Sequence, residues 1–394
     1  MREFILDPEL EQYATARQWE VLQAWDEHGT SRLAAEALGV TRSVISEAYV
    51  RAKAKAAKQG YAPEYNLTHT LPDGQKLRGV STYYGSDGTV RGQWVKSQED
   101  RERQAEMMRE MVAAFASELP KAAPMPAPEQ VGPDHLMACY PIGDPHIGML
   151  AWDEETGANY DMKIAEKLFM GAIDYLIDTA PPCDEATVIS LGDFFHYDSY
   201  EAVTPASRNQ LDADSRYPKM IRAGVKIMRY YIARALAHHK RVNVIIEIGN
   251  HDPSTSIFFA ECLANVYENE PRVIVDNSPA HFHYFTFGKN LVGVHHGHGA
   301  KMAELPMIMA ADRPQEWGRS KFRYWWTGHV HHDQVKDYHG TKIESFRVLA
   351  APDAWAAQSG YRAVRDMKCI VLHKEHGEVG RFTVNPDMLK GVKG

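Results

Sequence analysis

Five times between residues 134 and 341 a short apolar run ends in a glycine-flanked cluster of Asp, Asn and His, and this recurrence constrains the fold more than any other feature of the chain. Residues 137–142 lead into Gly143-Asp144-Pro145-His146, 187–191 into Gly192-Asp193-Phe194-Phe195-His196, and 242–248 into Gly249-Asn250-His251-Asp252. Residues 291–294 lead into His295-His296-Gly297-His298, and 322–327 into Gly328-His329-Val330-His331. The β-branched runs predict buried strands, and helical periodicity at 162–178 and 217–239 alternates with them. From 282 onward strands dominate, so the class is α/β with added sheet. Such scaffolds collect ligands in the loops at strand ends, and glycine lets the backbone turn tightly enough to aim side chains inward. Each cluster alone is common; five in this order imply one site.

Asp, Asn and His donors without thiolate suit Mn²⁺, Fe²⁺, Ni²⁺ or Zn²⁺. The four cysteines, at 139, 183, 262 and 369, form no CxxC pair, which argues against a disulfide framework or zinc ribbon and for a reducing compartment. The N-terminus has no apolar run of signal-peptide length and the chain none of membrane-span length, so the expected location is cytoplasmic, with no membrane partner. With 44 Lys and Arg against 52 Asp and Glu the net charge is −8, and no global positive field draws the chain to nucleic acid. Any such contact must be local.

Taken in order, the five motifs resemble the full set of the calcineurin-like metallophosphoesterase family, over about 134–341, leaving the first 130 residues uncovered. The resemblance implies an α/β (α+β) four-layer sandwich of two sheets flanked by helices, with two divalent metal ions, manganese favoured. By motif position Asp144, His146 and His331 would complete one metal site and Asn250, His296 and His329 the other, with Asp193 bridging. His251 would stand beside the scissile phosphate, stabilising charge and protonating the leaving alkoxide, and Asp252 would orient its imidazole. In the fourth motif His295, His296 and His298 compete; the family's His-Gly-His form selects His296, with His298 next. His332 is expected behind the ligands or exposed, and His196 either packed near the metals or touching a substrate phosphate. The form of the second motif resembles SbcD-type DNA nucleases, which points to nucleic acid. The polar segment 198–217 is too long for a simple connection and is expected to wall the substrate site, with Arg208 and Arg216 either contacting phosphates or pairing with neighbouring aspartates.

Unlike SbcD-type nucleases, this chain sets about 130 residues before the catalytic motifs, which puts an SMC-like ATPase partner in doubt. Residues 19–57 read as helix, turn and helix: Leu33, Ala34, Ala37 and Leu38 precede Gly39, and Thr41 can cap a second helix. Small Ala35 then falls where the helices cross, Val40, Ile45 and Ala48 on the shared core, and Thr41, Arg42, Ser43 and Ser46 on the exposed side. Five basic residues, Arg51 among them, stand against Glu47 alone between 40 and 60. This resembles helix-turn-helix segments of phage and bacterial DNA-binding proteins; an ordinary helical hairpin with a solvated face is the alternative. Runs at 81–84 and 89–96 around an Asp-Gly turn predict a hairpin, which either packs as a small sheet or touches nucleic acid, and 97–119 predict one long helix. The apolar stripe of that helix would pack on its own domain or join a homodimer. The expected organisation is thus a helix-turn-helix domain over 1–60, hairpin and helix over 61–119, a Pro/Ala-rich linker over 120–133 and a catalytic domain over 134–394.

The leading expectation is a metal-dependent DNA nuclease or phosphodiesterase tethered to DNA by its N-terminal domain, an arrangement similar to phage- or prophage-encoded metallophosphoesterases, which would act in the bacterial host cytoplasm. The alternative is a phosphomonoesterase or cyclic-nucleotide phosphodiesterase whose N-terminal segment is an assembly module. A DNA-binding regulator with a degenerate catalytic domain fits least, because every expected ligand position is filled.

Overall fold

The structure is a computed structural model that describes residues 4–63, 67–68, 71, 75–84, 90–99, 121–360 and 362–389. It falls into two units, Met1–Met111 and Val112–Gly394. In the first, α1 (Ala16–His28), α2 (Ser31–Leu38) and α3 (Arg42–Lys58) pack mutually. Thr15 and Gln18 form a reciprocal capping box on α1, Thr30 caps α2, and Gly39 at φ 63° turns the chain where a side chain would be strained. Ala34, Ala35 and Ala48 are small enough to let the helices close over Val21 and Ile45, with Val40 half-buried at the margin.

Beyond α3 come a short antiparallel pair, β1 (Tyr61–Ala62) with β2 (Leu67–Thr68), and a hairpin, β3 (Gln75–Tyr84) with β4 (Val90–Glu99). The hairpin corrects two expectations. It is longer than the runs that predict it, and residues 97–99, expected to open a helix, are strand. Leu77 lies opposite Ser97 and Lys76 opposite Gln98, so ladder pairing overrides the helix propensity of this stretch. The remainder of the expected helix, 100–120, and the turn at 85–88 lie outside the described residues.

In the second unit β5 (Leu136–Ile142), β6 (Glu185–Ser190), β7 (Arg241–Ile246) and β8 (Val273–Asp276) run parallel. A second sheet contains β9 (His283–Phe287), β10 (Asn290–Val294), β11 (Phe322–Thr327), β12 (Gln334–Tyr338) and β13 (Thr341–Ser345), in the order β12-β13-β11-β10-β9. The antiparallel strands β14 (Met367–His373) and β15 (Gly377–Val384) extend the first sheet beyond β5. The sheets meet face to face across Met137, Ile189, Leu191, Val292, Trp326 and Ile370. On the outer face of the first lie α4 (Met162–Thr179), α5 (Tyr217–His238) and α6 (Pro253–Val266). The outer face of the second buries Leu291, Trp325 and Ile343 against Leu305 and Met309 of a short helix. Helix, sheet, sheet and helix make the four layers expected.

The Pro/Ala-rich stretch expected as a linker is irregular, as its prolines require, yet it is anchored to the second unit. The Ala122 N–H donates to the Val266 carbonyl at 2.8 Å, the Met125 N–H to the Glu270 carboxylate at 2.6 Å, and the Arg272 guanidinium to the Met125 and Pro126 carbonyls. Among the described residues no helix is long and apolar enough to cross a membrane.

Candidate metal centre and active site

Each of the five motifs begins where a strand ends, after β5, β6, β7, β10 and β11. Because β5, β6 and β7 are parallel, their carboxyl ends share one edge of the first sheet, and β10 and β11 do the same in the second. The two edges meet: the His329 N–H donates to Asp144 Oδ2 at 2.7 Å, and His296 Nε2 lies 3.2 Å from Asp193 Oδ2. Two glycines make the approach possible. A Cβ on Gly249 would fall 2.1 Å from Asp193 Oδ1, and one on Gly328 2.5 Å from Asp144 Oδ1. The backbone is also strained here. Seven described non-glycine residues have positive φ, and five of them are Asp144, His146, Asp193, His329 and His331.

Two donor sets result. Around Asp144, His331 Nε2 lies 3.3 Å from Oδ2 and His146 Nε2 3.4 Å from His331 Nε2, while the fully buried Asp144 Oδ1 accepts no hydrogen bond. In the other set, His296 Nδ1 lies 2.8 Å from the Leu191 carbonyl, so that nitrogen carries a proton. Its Nε2 then faces Asn250 Oδ1 at 3.0 Å and Asp193 Oδ2 at 3.2 Å. A lone pair aimed at two oxygen acceptors is repulsive unless a cation lies between them, so this set fits either a proton or a divalent ion. His329 joins Asp193 and His296 in a group whose donor atoms lie within 4.8 Å of one another, and His146, His196 and His251 form a second such group.

The charges follow from the geometry. Burial raises the Asp144 carboxyl to about 7. Burial would raise Asp193 also, but His296, His251 and His146 outweigh it and hold the group well below the usual carboxylate range. For His296 burial works downward, and Asp193 and Asp144 overcome it, lifting the imidazolium to about 10. Burial dominates at His146, pushed well down, and at His331, pushed to about 4, so both present neutral rings with lone pairs available.

His251 is held through backbone and ring: its backbone N–H donates to Asp193 Oδ1 at 2.7 Å, and its ring Nδ1 lies 2.9 Å from the His196 carbonyl. This corrects the role expected of Asp252, which does not orient the imidazole. Asp252 heads α6 and is fully buried, its Oδ2 accepting the Phe195 N–H at 2.8 Å, and burial raises its carboxyl to about 8. It braces the loop 193–196 instead. His196 is 1% exposed, its Nδ1 3.4 Å from His146 Nδ1, which favours packing over substrate contact. In the fourth motif His295 turns away, stacked on Phe282 at 4.7 Å, and His298 is half-buried with its ring 5.2 Å from His296; His296 is the one beside Asp193. His332 is exposed.

Arg208 is exposed and pairs with Glu201 rather than with an aspartate, and Arg216 is exposed at the N-cap of α5. Sequence reasoning missed Asp198, whose carboxylate accepts the N–H groups of Ser254 and Thr255 and the Thr255 hydroxyl, tying the 198 loop to the start of α6. In the first unit Thr41, Arg42, Ser43 and Ser46 are exposed at the start of α3 and Arg51 is exposed midway along it. Arg42 Nε donates to the Ser31 hydroxyl at 3.0 Å, Arg51 pairs with Glu47 at 3.0 Å, and the Thr41 and Ser43 hydroxyls bond at 2.8 Å.

No family model matches the chain, and no curated protein does. Among solved structures it is similar to an archaeal phosphodiesterase (14% identity, TM-score 0.32, 63% of this chain and 100% of that one). It is similar also to the phosphoesterase YfcE from E. coli (10%, TM-score 0.29, 63% and 100%). A third is Vps29 from Entamoeba histolytica, complexed with zinc (13%, TM-score 0.27, 63% and 98%).

Proposed function

We propose that this protein is a metal-dependent phosphodiesterase that cleaves DNA. The observation that carries the reading is the pair of donor sets at the meeting sheet edges, one around Asp144 and one around Asp193, with the backbone of His251 held on Asp193 and its ring grouped with His146 and His196. Asp144, His146, Asp193 and His331 would hold one divalent ion, and Asp193, Asn250, His296 and His329 the other. Such ions, when bound, offset the charge of a phosphodiester and make water a competent nucleophile at neutral pH. The remaining work falls to the chain. Neutral His146 and His331 offer nitrogen donors without releasing protons, and the Leu191 carbonyl fixes the His296 ring so that Nε2 points at the oxygens. With Nδ1 of His251 engaged by the His196 carbonyl, Nε2 is the atom that delivers a proton to the departing alkoxide.

DNA is favoured as substrate by the first unit, where α3 exposes Thr41, Arg42, Ser43 and Ser46 beyond the turn at Gly39 and its basic residues oppose the net charge of −8. Incubation of labelled single- and double-stranded DNA with Mn²⁺, beside bis-p-nitrophenyl phosphate and p-nitrophenyl phosphate, tests the reading with Asp193→Ala as the blank. Cleavage of DNA that the variant lacks is expected. Turnover of the small esters with DNA left intact would instead make the enzyme a small-molecule phosphoesterase and the first unit an assembly module.

A further inference from the structure

The β3–β4 hairpin has two unlike faces. Ser81 pairs with Trp94, Tyr83 with Gly92 and Gly79 with Lys96, so Tyr83, Trp94 and Lys96 share one face with three residues that have little or no side chain. The Trp94 ring lies over Gly92, about where a Cβ there would touch it at 3.8 Å, beside the cross-strand Tyr83. Tyr83 is 62% exposed and Trp94 63%, whereas on the opposite face Val80, Thr82 and Gln93 are half-buried and Val95 is 41% exposed, and the Gln93 amide donates to the Thr82 hydroxyl at 3.0 Å. The face with Tyr83 and Trp94 is thus the more open of the two, and its two rings stand in solvent over glycine and serine positions.

Charge decides what such a face fits. The two strands carry Lys76, Arg78, Arg91 and Lys96 against one acidic residue, Glu99, in a chain of net charge −8. Exposed flat rings beside cations, with glycine and serine as the floor between them, suit unpaired bases and the phosphates that join them. A duplex hides its base faces and cannot stack on them. An apolar protein surface would gain nothing from Lys96.

We infer that the β3–β4 face carrying Tyr83, Trp94 and Lys96 binds single-stranded nucleic acid by base stacking. The inference rests on the DNA reading above and narrows it to substrates with an unpaired segment, such as frayed ends or gaps. The test uses the full chain in EDTA, with fluorescence anisotropy of a labelled oligothymidylate and of a duplex of equal length. The double variant Tyr83→Ala/Trp94→Ala should bind the oligothymidylate roughly 10- to 100-fold more weakly, while Trp94→Phe keeps most of the affinity. Lys96→Gln should lower the salt slope of that binding by about one. Duplex affinity, and bis-p-nitrophenyl phosphate turnover measured separately with Mn²⁺, should stay as in the parent chain. Unchanged single-strand affinity in the double variant overturns the inference. So does a parallel loss of duplex affinity, or a change in oligomeric mass that makes the face a contact between copies. A parent chain that binds neither oligonucleotide but still turns over the small diester sinks this inference and the DNA reading while sparing the phosphodiesterase.

Discussion

The His196 carbonyl holds Nδ1 of His251, and that one contact determines which substrates will register the loss of the ring. A p-nitrophenolate leaves without a proton; a sugar alkoxide does not. His251→Gln should therefore lower turnover of DNA or of an alkyl phosphodiester by about 10²- to 10⁴-fold and of bis-p-nitrophenyl phosphate far less, a contrast that parallel kcat measurements read directly. Asp252→Asn should behave in the opposite way. An amide oxygen can still accept the Phe195 N–H, so both activities should stay within a few-fold of the parent. A loss as large as that of His251→Gln would restore Asp252 to the orienting role. The side chains of the two donor sets were legible in the sequence because each follows its strand within a few residues. The contacts of His251 were not, since a backbone carbonyl does the holding and any residue type supplies one. Asp198 was hidden for a related reason: it caps a helix 56 residues away, and no local pattern announces a cap at that distance.

Two positions on α5 carry consequences for stability. A Cβ on Gly224 in α5 would meet the Phe195 ring at 2.3 Å, and Phe195 is itself packed against Phe194 and Phe259. Gly224→Ala should cost about 1–3 kcal/mol, seen as a lower thermal midpoint, and should weaken metal binding because the displaced ring belongs to the loop between Asp193 and His196. At the C-terminal end of α5, His239 is buried between the Cys183 carbonyl at 2.9 Å and the Tyr140 hydroxyl at 3.1 Å, and burial lowers its pKa to about 4. Protonation therefore favours the unfolded chain. The stability this ring confers is complete above pH 6.5 and falls away towards pH 4 by about 3 kcal/mol, so His239→Gln should flatten the pH dependence of the urea midpoint over that window. The strands and long helices of the second unit were readable from periodicity because burial on both faces leaves unbroken β-branched runs. The end of β4 was not, because Gln98 and Glu99 are good helix formers held extended only by partners some twenty residues earlier.

Each of the two units has its own core, one around Ala34 and Ile45 and the other between the sheets, so heating should unfold the molecule in two steps. Only the step belonging to Val112–Gly394 should move upward with Mn²⁺, and Asp193→Ala should abolish that shift; calorimetry with and without the metal checks both. The left-handed backbone at Asp144, His146, Asp193, His329 and His331 sets the demands of folding against those of the proposed metal binding. Glycine at His331 would relieve roughly 1 kcal/mol of conformational strain and so leave a metal-free chain no less stable than its parent, yet without a ligand. Folding alone thus asks for glycine at such a position and metal binding for a ligand, so His331→Gly should keep the thermal midpoint of the metal-free chain while weakening its upward shift with Mn²⁺.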